Sequence, residues 1–137
     1  MIMLEEEIQP RAKAMTVELV DNWHRNWNKV FSLIDHLGQA GSLMIDPHGW
    51  LSARQNLLAA FIDGEPAGHI CFRVQPACEN GKLVTENGRA VMEAQLEAFG
   101  VVPGLASDDI AMLLKEAAQH RAQDLKCRRF HGIDRTN

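Results

Sequence analysis

The stretch running on from Val101 carries more chemical content than any other in this chain. It reads Val101-Val102-Pro103-Gly104-Leu105-Ala106-Ser107-Asp108-Asp109-Ile110-Ala111-Met112-Leu113-Leu114. A strand runs out through Val101-x-Pro103, a short loop follows, and a helix begins. Backbone N–H groups at a helix start point outward with partial positive charge. The segment Ala106, Ser107, Asp108, Asp109, Ile110 and Ala111 therefore has the layout of an anion site. Two aspartates lie within it. At an effective dielectric of ~20, like charges ~4 Å apart repel by about 4 kcal/mol, part of which is relieved when the side chain turns to solvent. The same carboxylates complement the helix dipole behind Ser107 as cap, and capping is the favoured reading over binding of a cation or a basic partner.

Other reactive residues are scattered. The six histidines fall at 24, 36, 48, 69, 120 and 131, with no i,i+4 pair and no finger-like spacing to cysteine, so no metal site is expected. Cys71 lies in a predicted strand and reads as core rather than as a nucleophile. The three cysteines, Cys71, Cys78 and Cys127, form no Cys-x-x-Cys pair and read as reduced thiols of a cytoplasmic protein. Tyrosine is absent from the whole chain.

The elements that would position these residues follow from periodicity and punctuation. Residues 7–12 suggest the end of a short strand. Thr16 is placed to cap a long helix, with Trp23, Trp27, Val30, Phe31 and Ile34 on one face and Gly38 as its stop. Residues 38–49 are turn-rich, with Leu43-Met44-Ile45 as an apolar plug and room for one helical turn. Trp50 in the following segment reads as packing. Leu57–Ile62, the turn Asp63-Gly64-Glu65-Pro66 and the alternating Gly68–Val74 make a β-hairpin. Ile70, Phe72 and Val74 share one face of it, and His69, Cys71 and Arg73 the other. A polar connection over 76–89 holds Asn80-Gly81 and Asn87-Gly88. Residues 90–99 fit either period, and propensity favours a helix. Direct continuation into Val101-Val102-Pro103 favours a strand, on which Glu93, Gln95, Glu97, Phe99 and Val101 share parity. A strong helix follows, with Ile110, Leu113, Leu114, Ala117, Ala118, Arg121 and Leu125 on its face. Residues 126–133 suggest a final strand.

Two stretches resemble the GNAT superfamily of acyl-CoA N-acetyltransferases. Pro66-Ala67-Gly68-His69-Ile70-Cys71-Phe72-Arg73-Val74-Gln75-Pro76 resembles the third strand of histone-acetyltransferase-type members. Val101-x-Pro103 with the helix behind it resembles the fourth strand and the acyl-CoA pyrophosphate loop. The family pattern continues from the proline with two free positions, Arg or Gln, two free positions, Gly, one free position, and Gly or Ala. This chain has Ala106, Asp109 and Ala111 at those three places. The last matches; the first two do not, and Asp109 adds a Cβ and a charge where glycine lets phosphate approach.

The resemblance implies an α/β (α+β) fold: a mixed, mostly antiparallel sheet of about five strands flanked by helices, lacking the family's C-terminal helix and strands. It implies a single domain over 1–137. It also implies acyl transfer from acetyl-CoA to an amine on a small molecule or a protein, with weak cofactor binding through a degenerate loop. Val101 would orient the thioester carbonyl, residues 106–111 would hold the pyrophosphate, and Glu97 or Glu93 would be the general base. Both glutamates equally suit a solvated sheet face. A non-catalytic dimeric domain on the same fold is the alternative. An open final edge, with Phe130 and Ile133 near it, points to a homodimer.

Composition narrows the field further. The 137 residues suit one domain, and 46% hydrophobic with 23% charged residues is ordinary for a globular protein. The net charge of −4 and the absence of a basic block argue against nucleic-acid or membrane-surface binding. The acidic start, Met1-Ile2-Met3-Leu4-Glu5-Glu6-Glu7, does not have the form of a signal peptide. No apolar run approaches the ~20 residues of a membrane span.

Overall fold

The computed structural model describes residues 14–104 and 106–133. The strand expected over 7–12 lies outside the described residues. The first element is β1, Met15–Val20, not the start of a helix. Thr16, Val17 and Val20 are β-branched and suit a strand, and β1 pairs antiparallel with Gln55–Ile62, which is β2. The chain then turns where Trp23 N–H donates to Asp21 Oδ1 at 2.9 Å and Asn26 N–H donates to His24 Nδ1 at 3.0 Å. Only then does α1 run, Trp27–His36, burying Val30 and Ile34. Trp23 therefore sits outside the helix and is 81% exposed, not core. Gly38 at φ +78° ends the helix as expected, and a 3₁₀ turn covers Ala40–Ser42.

The hairpin forms as the alternation predicts. Strand β3, Glu65–Pro76, pairs with β2 through Asp63 and Gly64, both at positive φ. That is the geometry of a two-residue turn matched to strand twist. The connection beyond it holds two miniature hairpins, β4–β5 (Cys78–Glu79, Lys82–Leu83) and β6–β7 (Thr85–Glu86, Arg89–Ala90). Each closes on an Asn-Gly pair in the left-handed region, Asn80-Gly81 and Asn87-Gly88. Met92–Val101 is strand β8 despite its helix-prone composition. Pairing on both sides decides it, antiparallel to β3 and parallel to β9, Cys127–His131. Between them lies α2, Ser107–Asp124, whose N-cap is Ala106; Ser107 is the first helical residue and makes no capping bond.

The main sheet runs β1-β2-β3-β8-β9. Its front face packs on α2, where Leu58, Ala60, Ile70, Phe72, Ala94, Ile110, Leu114 and Ala118 are buried together. Its back face packs on α1, with Val20, Leu57, Ala59, Phe61, Cys71 and Ala98 against Val30 and Ile34. Phe130 and Ile133 do not form an exposed edge. The Phe130 ring lies 5.0 Å from Phe72, and Ile133 is buried beneath α2. Among the described residues no helix is long and apolar enough to cross a membrane.

Candidate functional site

The register of β8 against β3 slips by one residue at Glu97. Phe72 pairs with Leu96 and Cys71 with Ala98, which leaves Glu97 as the extra residue of a β-bulge. The shared parity expected from Glu93 to Val101 is therefore broken. Before the bulge Ala94 and Leu96 face the front core; after it Phe99 and Val101 do. Glu93 and Gln95 fall on the back, where Ala98 also packs. Period-two reading cannot see an inserted residue, so Phe99 and Val101 come out on the face opposite to Glu93.

The bulge coincides with a splay. Among the described residues, parallel pairing of β8 with β9 reaches Gln95, opposite His131, and goes no further. The backbone of Gly132, at φ +92°, lies so close to β8 that a Cβ there would meet the Leu96 Cβ at 3.1 Å. The chain then turns to bury Ile133. Beyond the Gln95–His131 pair, among the described residues, no strand is paired with this side of β8, which leaves a gap in the strand pairing. Val102 N–H donates across to Ala67 C=O of β3 at 2.8 Å. Strand alternation then points the backbone groups of Val101 and Phe99 the other way, into the gap.

The two candidate bases have different surroundings. Glu97 Oε1 stands 3.6 Å from Arg73 Nε, a charge pairing rather than a hydrogen bond, and the buried Nε has no hydrogen-bond partner among the described residues. Glu93 Oε2 lies 3.0 Å from His131 Nε2. The His131 hydrogen bond holds the Glu93 carboxyl below its usual range against a smaller opposing effect of burial. Burial, with a smaller contribution from the Glu97 charge, pushes the Cys71 thiol up to about 12. Cys71 is fully buried and is core, not nucleophile.

The loop and helix start lie where β8 ends. Asp108 and Asp109 are exposed in the first turn of α2, with no side-chain cap over the backbone N–H groups there. A Cβ on Gly104 would meet nothing within 4 Å, so the loop backbone is open to close approach. Ser107 N–H donates to Gly104 C=O at 3.2 Å and Ile110 N–H to Ala106 C=O at 2.9 Å, while the side chains of Asp108 and Asp109 carry the sign of charge of a phosphate. Ile110 is buried in the front core, and Ala106 packs against its edge. Leu105 lies outside the described residues. Among the described residues no group of three or more His, Cys, Asp or Glu side chains is placed to hold a metal.

Sequence reasoning missed Gln39 and His69. His69 is fully buried, and burial lowers its pKa to about 4, so the ring is neutral near pH 7. Its Nε2 lies 2.8 Å from Gln39 Oε1. The same Oε1 accepts from Phe99 N–H at 3.0 Å, and Gln39 Nε2 donates to Phe99 C=O at 2.9 Å. A cavity of about 610 Å³ between β1 and α2, lined by Met15, Val17, Leu113, Glu116 and His120 among others, touches none of these residues.

The fold superposes on those of solved acetyltransferases. Ribosomal-protein-alanine N-acetyltransferase from Brucella melitensis biovar Abortus 2308 superposes with a TM-score of 0.60 at 18% identity, over 85% of this chain and 77% of that one. The aminoglycoside acetyltransferase meta-AAC0020 from a soil metagenomic sample gives 0.62 at 10% identity, over 85% and 74%. Aminoglycoside N-acetyltransferase AAC(6')-Iy, solved with CoA, gives 0.55 at 18% identity, over 90% and 78%. No protein-family model and no curated protein sequence matches the chain. At these identities the likeness is one of fold, and the chain has the GNAT acetyltransferase fold.

Proposed function

We propose that this chain is an N-acyltransferase-type domain whose cofactor loop is weakened. In this reading acetyl-CoA lies along the gap beside Val101, with its pyrophosphate at the backbone of residues 106–111. An amine attacks the thioester carbonyl, its proton passes to Glu97, and the CoA thiolate leaves. The observation that carries the reading is the bulge at Glu97 immediately before the splay. Glu97, the side of β8 left unpaired among the described residues and the start of α2 follow one another along the chain, which supports this reading. Glu97 is the better base of the pair, because Glu93 is engaged by His131.

The acceptor would be an amine on a small molecule or a protein. The structural neighbours include one of each kind, an aminoglycoside acetyltransferase and a ribosomal-protein-alanine N-acetyltransferase. Asp108 and Asp109, with Ala106 in place of an Arg or Gln, support weak cofactor binding, no tighter than roughly 100 μM. We further read the chain as a cytoplasmic homodimer joined through the outer edge of β9, which lies at the border of the sheet. Light scattering tests this, because a mass of 15.3 kDa at tens of micromolar protein would rule it out.

The functional reading is tested by calorimetric titration of acetyl-CoA into the protein and into the double variant Ala106→Arg, Asp109→Gly. Restoring a cation and removing a charge should tighten binding by on the order of tenfold or more. Equal affinity, or none in either protein, would show that the loop does not hold a pyrophosphate.

A further inference from the structure

Gln39 follows Gly38 at the end of α1, half-buried, and its side chain reaches across to β8. Its carboxamide makes two bonds to one residue, accepting from Phe99 N–H at 3.0 Å and donating to Phe99 C=O at 2.9 Å. That is the pair of bonds a neighbouring strand exchanges with a residue facing it. The amide orientation is dictated by these partners. With its oxygen and nitrogen exchanged, the NH₂ group would face the Phe99 N–H. The oxygen also lies 2.8 Å from His69 Nε2. His69 thus carries its proton on Nε2, and its buried Nδ1 has no partner among the described residues.

The location gives these bonds their meaning. Phe99 is beyond the last β8–β9 pair, Gln95 with His131, and its backbone groups point into the gap. Val101, two residues on, points the same way. Sheet backbone in that position needs a partner or water. Here the partner is a side chain from a different layer of the fold, locked from behind by a buried histidine. Gly100 permits the approach, since a Cβ there would meet His69 Cε1 at 2.8 Å and Leu37 Cδ1 at 3.0 Å.

We propose that Gln39 is an internal occupant of the acyl end of the cofactor path: its carboxamide holds the N–H and C=O of Phe99, one strand repeat from the Val101 position assigned above to the thioester carbonyl, so the free protein is closed and acyl-CoA binds only by displacing it. The inference rests on the N-acyltransferase reading above. An occupant tethered to the chain competes without losing translational freedom. Displacing it leaves the buried Nε2–H of His69 without its acceptor, which favours the closed form. The apparent affinity for ligand then falls by the fraction of molecules that are open.

The test combines amide hydrogen exchange with acetyl-CoA titration, on the native sequence and on Gln39→Ala. Gln39→Asn, one methylene too short to make both bonds, is a second and milder variant. Exchange at Phe99 should accelerate by at least about tenfold in both variants, and exchange at Gly100, whose N–H points to β3, should not. Acetyl-CoA should bind each variant on the order of tenfold more tightly than the native protein. Faster exchange at Phe99 with unchanged or weaker acetyl-CoA binding would overturn the proposal. Adding Gln39→Ala to the double variant Ala106→Arg, Asp109→Gly separates the two ideas. If the double variant binds acetyl-CoA and the added change does not tighten it, the proposal alone fails. If none of these proteins binds acetyl-CoA, the functional reading fails and the proposal with it.

Discussion

His131 Nε2 stands 3.0 Å from Glu93 Oε2, tying the last strand to β8 just before the two part. The pair is a tie between strands, and it takes Glu93 out of contention as a free base. Glu93→Gln should leave any acetyl transfer within a small factor of the native rate and lower the melting temperature by a few degrees. Glu97→Gln should lower kcat/KM by on the order of a hundredfold, the usual range for losing a general base. The reverse ranking in an acetyl-transfer assay would exchange the two roles.

Acid should act on the fold first through His69. Its pKa falls from 6.5 in the unfolded chain to about 4 when buried. Between those values the unfolded chain binds the extra proton, so stability is complete above pH 6.5 and declines as pH falls toward 4. The shift corresponds to roughly 3 kcal/mol over the whole window. Glu93, lowered by its His131 bond, works with the same sign in a lower window: its contribution is present above pH 4.5 and is lost below it. Urea unfolding from pH 7 to pH 4.5 should show the loss, and His69→Gln should flatten the profile over that range. An equally steep profile in the variant would mean that another group carries the acid sensitivity.

Gly100 is the second pressure point of the same cluster. The Cβ of an alanine there would lie 2.8 Å from the His69 ring and 3.0 Å from Leu37. The ring is held by Gln39 and cannot retreat without breaking that bond. Gly100→Ala should cost about 1–3 kcal/mol, the range for overpacking a core. Chemical denaturation measures it. A neutral outcome would show that the His69 ring has room to move.

The Phe130 ring meets Phe72 at 5.0 Å between centroids and belongs to the front core. Phe130→Ala should cost about 2–3 kcal/mol, less than a fully buried phenylalanine would. Phe130→Asp should unfold the protein rather than separate a dimer into folded monomers. Circular dichroism beside light scattering distinguishes the two results, and folded monomers would place Phe130 at an interface.

Local signals made much of this fold legible in the sequence. The hairpin was visible because Asp63-Gly64 admits positive φ and the residues on either side alternate. The second long helix was visible from its apolar spacing, and the β8 strand from its run into Val101-x-Pro103. The first helix was misplaced because Thr16 and the later tryptophans mimic one helical face. Pairing with β2, which is non-local, claims Met15–Val20 for the sheet. The candidate loop was legible as chemistry, since its aspartates are sequence facts. What surrounds β8 was not. A bulge is one residue of register between two strands and leaves no periodic trace, so the faces of Phe99 and Val101 came out reversed. The Gln39 bonds to Phe99 and His69 join three separate segments of chain. Glutamine and histidine at those positions carry no pattern of their own. Only packing α1 across the back of the sheet brings them together, and that packing follows from burial of Val30 and Ile34 against β2 and β3.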